Sequence, residues 1–489
     1  MAVGVQHNVE GPGGFALYDV TNPSRPRLVS FTRTPAGGVH EIDIVARPDG
    51  TALALLAVPF VEFEAEWFEG KPGGDFMIVD ITDPADPVKL SDWGVLADSS
   101  LRGPDGFVLT SQFGGTGGFA ASYGHSVRAA DDGMTAYVSY WDAGVLKFDI
   151  SDPSTPELLG RTVFPRGAAD DGDAHSLGIL DVGGQRYLFQ NDEDWSLPDP
   201  VLVTSTATGS TEFSAVDEFW MPVLLTDVGS LTGVIFDAGD GCQAEDFAGA
   251  AGKMALFDTV DPFYIGLDPT LPDELPCRLG AQIRRAADAG AIAAISNLVS
   301  PDDAYPFPFS TPRAVEGVTI PAVQVSGTEP FASAVRAAIG DVSVTLEPTP
   351  PTWGFIRVFR EAPIDTDGDN VLDFPQVGSF SDLPYVSGSL ESPPGFWSVH
   401  NTELLGDRAY ASWYSHGIVA LDVSDPANPE LVGLATPSAS GKKKAAFGPD
   451  RYAVVWGVDI DESRGLILAS DMRSGLWIFR PTGGAAPSP

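Results

Sequence analysis

One short segment recurs along the chain, and its recurrence restricts the fold more than any other feature. It reads GFALYDVTNPSRPRLV from Gly14, DFMIVDITDPADPVKL from Asp75, GVLKFDISDPSTPELLG from Gly144 and GIVALDVSDPANPELVG from Gly417. Degenerate copies begin at Gly354 (GFIRVFREAP) and Gly475 (GLWIFRP). Glycine opens the unit where the backbone bends sharply or approaches another segment closely. A run of Val, Ile, Leu and Phe then reads as a buried strand. Asp-Pro-x-x-Pro ends it: Pro fixes φ and removes a donor, and Asp hydrogen-bonds its own backbone to close a turn. Gly and Pro recur throughout, with 54 and 41 copies, as many short strands joined by tight turns require.

A matching pair of strands precedes each copy. The first often opens with histidine: His40, His125, His175 and His400, with Trp456-Gly457 in the last copy. The second reads AYVSYW from Ala136 or AYASWY from Ala409. The pattern resembles the LVIVD repeat family, and the resemblance covers most of the chain outside one insertion. It implies propeller blades of four antiparallel strands. Six third-strand copies predict a mainly β fold, a six-bladed β-propeller, with seven blades as the alternative. The first copy lacks its first strand and the last lacks its fourth, and strands from both chain ends are expected to complete a terminal blade.

The fourth unit breaks its rhythm. Gln185–Gln190 reads as a second strand, but its third strand arrives only at Gly354. A structureless loop of that length is untenable in a compact domain, so a folded module stands there. Strands are expected at 252–257, 292–297 and 319–325, and helices at 281–291 and 331–339. This order of Cys242, strand, Cys277, helix and strands resembles the protease-associated (PA) family. The resemblance spans 201–347 and implies a small α/β domain that acts as a lid or recruitment surface. The family's basic segment before the second Cys is here acidic and Pro-rich. The expected domains are propeller 1–195, insertion 201–347, propeller 353–481 and a disordered tail 482–489.

The chain has 489 residues, 43% of them hydrophobic, which suits a globular protein of more than one core. Its 67 acidic and 28 basic residues give a formal charge of −39, which repels phosphate backbones and argues against nucleic-acid binding. The two cysteines, Cys242 and Cys277, read as one disulfide in an oxidising compartment or as two buried thiols. No apolar run reaches the ~20 residues of a membrane span, and no signal peptide is seen. We expect a secreted or cell-surface bacterial protein whose N-terminus was trimmed or misassigned.

Three constellations are candidate sites. Asp365, Asp367, Asp369 and Asp373, with the Val371 carbonyl, place oxygen ligands at alternating positions around a Gly turn. They resemble the DxDGDxxxD calcium loops of dockerin and thrombospondin-like repeats, which implies Ca²⁺; the alternative is a solvated acidic turn. His40, His125, His175 and His400 open equivalent strands and so ring the channel at one level, with Glu41 as a possible carboxylate. Neutral imidazoles converging there can hold a transition metal, or they are repeat-encoded residues that bond a neighbouring strand. Trp141, Asp142, Asp192, Asp194, Trp195, His416 and Asp471 end second strands and form a possible ligand face for a protein, peptide or glycan.

No H-E-x-x-H helix, G-x-S-x-G elbow or Walker loop occurs. The expected function is therefore an extracellular binding or scaffold protein without catalysis. The alternative is a metal-dependent oxidoreductase or hydrolase with its ion on the channel histidines.

Overall fold

A computed structural model describes residues 1–5, 13–34, 38–59, 74–94, 123–141, 143–163, 174–193, 201–207, 209–217, 221–259, 278–298, 315–326, 331–348, 354–366, 368–381, 398–437 and 453–488. Asp142, Asp194, Trp195, Asp367 and Cys277 of the candidate sites lie outside the described residues.

Outside the insertion the chain folds as successive antiparallel sheets. The first is β1 (Ala2–Val5), β2 (Gly14–Asp19) and β3 (Arg27–Arg33). The second is β4 (Glu41–Ala46), β5 (Ala52–Ala57), β6 (Phe76–Asp80) and β7 (Val88–Trp93). The third is β8 (Ser126–Ala130), β9 (Thr135–Ser139), β10 (Val145–Asp149) and β11 (Glu157–Val163). The fourth begins with β12 (Ala174–Val182) and β13 (Gln185–Asp192). The insertion, with eight strands β14 to β21 between Val201 and Glu347, intervenes. The fourth sheet then resumes with β22 (Phe355–Arg360) and β23 (Leu372–Phe380). The fifth is β24 (Thr402–Leu405), β25 (Arg408–Trp413), β26 (Gly417–Asp422) and β27 (Glu430–Ala435). The sixth is β28 (Val455–Asp461), β29 (Leu466–Asp471) and β30 (Gly475–Phe479). First strands of successive sheets lie against one another, β4 on β8, β8 on β12, β12 on β24 and β24 on β28. The architecture is that of a β-propeller, with these strands innermost.

Local chemistry accounts for the repeat. Each Asp-Pro turn is a pair of side-chain-closed turns. Asp80 Oδ1 accepts from the Thr82 N–H at 2.8 Å, and Asp83 Oδ1 accepts from Ala85 at 2.9 Å. Asp149, Asp152, Asp422 and Asp425 repeat the arrangement. Gly417 has φ +100°, and a Cβ there would run into the Ala435 carbonyl of the neighbouring strand, so the strand-opening position admits only glycine. The turns also dock successive sheets: Ser30 Oγ donates to the Pro84 carbonyl and Ser91 Oγ to the Pro153 carbonyl, each at 2.7 Å.

The third and fourth sheets are joined at their outer edges, where β11 pairs in parallel with β23 from Gly160↔Leu372 to Val163↔Pro375. The chain's end differs from expectation. Residues 482–488 are not a free tail: a turn at Gly483–Ala485 lies on β26 and β27, with Arg408 Nε donating to Gly484 O at 2.8 Å and Tyr410 Oη to Ala485 O at 2.7 Å. A small-residue sequence gains order there from backbone acceptors that Arg408 and Tyr410 satisfy.

The insertion leaves at the end of β13 and returns at β22, and these two strands pair from Tyr187↔Arg360 to Asp192↔Phe355. The fourth sheet is therefore continuous across the break. The module is a mixed sheet in the order β15-β14-β21-β17-β18-β19-β20-β16. Its strands are β14 (Val201–Thr206), β15 (Gly209–Ser214), β16 (Val216–Asp217), β17 (Leu231–Asp237), β18 (Met254–Thr259), β19 (Ala293–Leu298), β20 (Ala322–Ser326) and β21 (Ser343–Glu347). Strands β17 to β20 run parallel. Helices α1 (Leu225–Val228), α2 (Leu279–Asp288) and α3 (Phe331–Ala337) complete it. Apolar clusters built on Leu256, Ile295 and Val335, and on Phe257, Ile283 and Ala294, fill its two faces. Among the described residues no helix is long and apolar enough to cross a membrane.

Candidate metal centre

The four histidines lie together. Each sits where a first strand begins, and the N–H groups of His40, His125 and His400 donate to the carbonyls of Ala57, Ser139 and Ser412 on the adjoining second strands, at 2.9, 2.8 and 2.9 Å. The pairing register slips beside His175, between Ala174 and Ser176, and beside Trp456, between Val455 and Gly457. An extra residue at such a point re-aims the side chain it carries. The rings form a column: centroids are 4.1 Å apart for His40–His125, 4.0 Å for His125–His175, 4.1 Å for His175–His400 and 4.1 Å for His400–Trp456.

Hydrogen bonds fix the ring state. His125 Nδ1 meets the His175 carbonyl at 3.0 Å, and His175 Nδ1 meets the His400 carbonyl at 2.9 Å. His400 Nδ1 bonds Asn401 Oδ1. A carbonyl oxygen carries no proton, so each Nδ1 is the donor and each neutral ring presents a lone pair at Nε2. His175 and His400 are 0% and 2% exposed, and among the described residues their Nε2 atoms accept no hydrogen bond. Burial keeps these rings neutral. It pushes His400 down to about 3 and, with the neighbouring histidines, pushes His125 and His175 well below the usual range.

A carboxylate completes the group. Glu193, 2% exposed, places Oε2 3.0 Å from His175 Nε2 and Oε1 3.8 Å from His400 Nε2. The approach to His175 is close but not aligned for a hydrogen bond. Two ligand sets result, His40–His125–His175 and His175–Glu193–His400, each with donor atoms within 4.8 Å of one another and sharing His175. A tetrahedral ion with bonds near 2.1 Å holds its ligand atoms roughly 3.4 Å apart, a modest contraction from this arrangement. These residues can hold a metal ion.

Sequence reasoning placed Glu193 among the residues that end the second strands, and not with the histidines. It lies two residues past Asn191, the partner of Ser176, just as Trp141 and Tyr414 lie two past Ser139 and Ser412. Aligning the second strands by these partners is the signal that finds it. Glu41, expected as the carboxylate, instead accepts from Ser126 Oγ at 2.5 Å. Further along the inner strands Arg128 pairs with Glu403 at 2.5 Å, from the third sheet to the fifth.

The expected ligand face divides. Trp141 is buried beside the column, its ring 5.3 Å from His125. Asp192 is buried in an ion pair with Arg357 and accepts from Gln190 Nε2 at 2.7 Å, so it faces the sheet. Asp471 is also buried and caps a turn, accepting from the backbone of Val454, Arg473 and Ser474 at 2.7, 2.9 and 2.6 Å. His416 is half-buried, and burial lowers it to about 4.

The acidic loop lies at the seam between the third and fourth sheets. Asp365 accepts from the N–H groups of Gly368 and Asn370 at 2.7 and 3.1 Å, and Asp369 from Val371 at 2.8 Å. Arg161 of β11 reaches both Asp369 and Asp373 at 3.2 Å, and Asp373 also accepts from Thr366. A buried guanidinium thus stands among these carboxylates. In the insertion Cys242 is buried, its N–H bonded to Asp240.

Fold and site together define a β-propeller with histidines gathered where its inner strands begin. Its repeats match the LVIVD repeat family at residues 71–91, 132–163 and 398–436. No curated protein matches the chain. Among solved structures, the Pseudomonas aeruginosa periplasmic gluconolactonase PpgL is 10% identical over 100% of this chain and 94% of that one, with a TM-score of 0.37. The Myceliophteria thermophila Cps50 (Swd1) β-propeller domain is 10% identical over 96% and 91%, at 0.30. BSAP, a zinc aminopeptidase from Bacillus subtilis, is 20% identical over 37% and 38%, at 0.23. The chain spans about two fifths of the length of the aminopeptidases it matches. No activity is carried over from likenesses this distant.

Proposed function

We propose that this chain is a six-bladed propeller whose channel holds a transition-metal ion on His40, His125, His175, His400 and Glu193, and that it is a metal-dependent enzyme. The observation that carries this reading is the locked ring state: Nδ1 of His175 and His400 is held, and their Nε2 lone pairs converge with Glu193 in a buried site. The buried Nε2 acceptors of His175 and His400 make no hydrogen bond among the described residues, which is unfavourable until a proton or a cation joins them. An ion there would supply a Lewis acid or an oxygen-activating centre. The chain's own part is to hold neutral ligands and exclude water.

Topology supports the same end of the channel as the working face. The ends of β5, β7, β11, β13, β23 and β27 and the starts of β6, β8, β12, β22, β24 and β28 lie at the histidine end, so the longest sequence separations between consecutive strands of the propeller fall there. The turns at the other end of the inner strands are short, as at Gly183-Gly184 between β12 and β13. Functional residues concentrate where long connections meet a rigid scaffold. The insertion serves in this reading as a PA-type domain over that face, with a Cys242–Cys277 disulfide in an extracellular setting. Placing so large a module there also favours a second reading, a binding platform.

Elemental analysis of the purified protein separates the two. One equivalent of zinc, iron or copper per chain is expected. Protein that folds, takes up none of them on loading and retains only calcium would leave the platform. Zinc would direct attention to hydrolysis and iron or copper to redox chemistry.

A further inference from the structure

The second strands of the third, fourth and fifth sheets end in equivalent residues beside the column: Trp141, Glu193 and Tyr414. Both aromatic residues have left-handed backbone, φ +47° at Trp141 and +32° at Tyr414, where bulky side chains are rare. Such outliers persist only where the surroundings impose them, and they cluster at ligand sites. At Trp141 the imposing contacts are visible. Its N–H donates to the Ala174 carbonyl at 3.3 Å and its carbonyl accepts from Ala174 at 3.2 Å, which ties it to the strand that carries His175. The indole is thereby held 5.3 Å from the His125 ring and 6.2 Å from the His175 ring, and Tyr123 stacks on it at 4.9 Å with a 20° tilt.

The indole N–H is the telling atom. Trp141 is 4% exposed, and Nε1 is buried with no acceptor among the described residues. Indole nitrogen only donates, and a buried donor without an acceptor is costly enough that proteins seldom keep one without a purpose. The missing partner is an oxygen that enters with a ligand. The site's charge says which kind: four neutral imidazoles and one carboxylate around a divalent ion leave one net positive charge, which suits an oxyanion. The stacked Tyr123–Trp141 pair suits a flat ring.

We propose that Trp141 is a ligand-binding residue of the channel and that the ligand is an aryl oxyanion. Its oxygen accepts from Trp141 Nε1 beside the metal, and its ring packs on the aromatic wall. The charge step rests on the metal reading above; the donor and the wall do not.

The test titrates the metal-loaded protein with 4-nitrocatechol, read by visible absorbance, with benzoate and cyclohexanecarboxylate as competitors. Saturable binding is expected. Benzoate should compete at least about tenfold better than cyclohexanecarboxylate, and Trp141→Phe, which keeps a ring but no donor, should weaken 4-nitrocatechol about tenfold with unchanged metal content and melting temperature. If benzoate fails to compete while phenol succeeds, the oxyanion is a phenolate; the reverse makes it a carboxylate. Equal binding by Trp141→Phe, or equal competition by the saturated acid, overturns the proposal. Protein that takes up no transition metal on loading yet shows benzoate quenching of tryptophan fluorescence, lost in Trp141→Phe, would break the metal reading and keep this one. Metal-loaded protein with no dependence on Trp141 would do the opposite.

Discussion

Two places in this molecule gather acidic or imidazole donors, and they treat them differently. At the outer seam, Asp365, Asp369 and Asp373 direct oxygens to N–H groups within their own loop, and Arg161 supplies a cation to two of them. At the inner strand ends, His125, His175 and His400 each commit one nitrogen to a neighbouring acceptor. In His175 and His400 the other nitrogen is buried beside Glu193. The seam clasps two sheets together with a protein cation already seated among its carboxylates. The column's two ligand sets consist of imidazoles and one carboxylate. The spacing of donors in sequence resembles a binding site in both cases, and the neighbours decide which one is available.

The comparison is broken most directly by exchanging the effects of two substitutions. His175→Ala removes the ligand that both sets share, and transition-metal affinity should fall by more than about 100-fold, measured by competition with a chromogenic chelator. Asp373→Ala should leave that affinity unchanged. It should instead destabilise the protein by about 3–5 kcal/mol in urea unfolding, because Arg161 and Asp373 are 3% and 2% exposed and Arg161 would lose a buried partner. Metal loss from Asp373→Ala, or retention in His175→Ala, would reverse the roles assigned to the two regions.

Acid should act on the column next. In chelator-treated protein His400 is held near 3, against 6.5 in the unfolded chain. Below pH 6.5 the unfolded chain takes up a proton that the folded chain refuses, so stability falls as pH falls, until the folded value is reached. This group alone contributes about 2 kcal/mol of loss by pH 5. His125 and His175 shift the same way and add to it. Urea unfolding at pH 7.5 and pH 5 measures the loss, and a flat or rising stability would mean that the rings are charged in the fold.

How much of this was legible in the sequence follows the same division. The Asp-Pro turns and the strand-opening glycines act over a few residues, so their repetition exposed the strands, the splice between β13 and β22, and the helix–strand order of the insertion. The histidines were legible because each opens a repeat unit. Glu193 was not legible as their partner, because it occupies a position where the other copies show Trp141 and Tyr414. Asp192 and Asp471 look like ligand-face carboxylates until their partners are known. Asp192 is paired with Arg357, beyond the whole insertion, and Asp471 is held by backbone N–H groups that have no sequence signature. Arg161 is likewise far in sequence from Asp369 and Asp373, so the acidic loop was read without its countercharge.

That loop also yields the smallest expected effect. A site with a dissociation constant of about 10 μM would raise stability by about 2.7 kcal/mol in 1 mM calcium, since free ligand at 100 times that constant stabilises by RT ln(1 + [L]/Kd). With Arg161 seated between Asp369 and Asp373, a calcium ion would have to displace a buried guanidinium from both carboxylates. We therefore expect a shift below about 0.5 kcal/mol between EDTA and 1 mM calcium, the level of a surface effect. Arg161→Met sharpens the point. It removes the competing charge, so calcium sensitivity that appears only in this variant would show that the loop has the donors of a calcium site and that Arg161 occupies them. A large shift in the unaltered protein would instead place a cation at both regions and end the contrast between them.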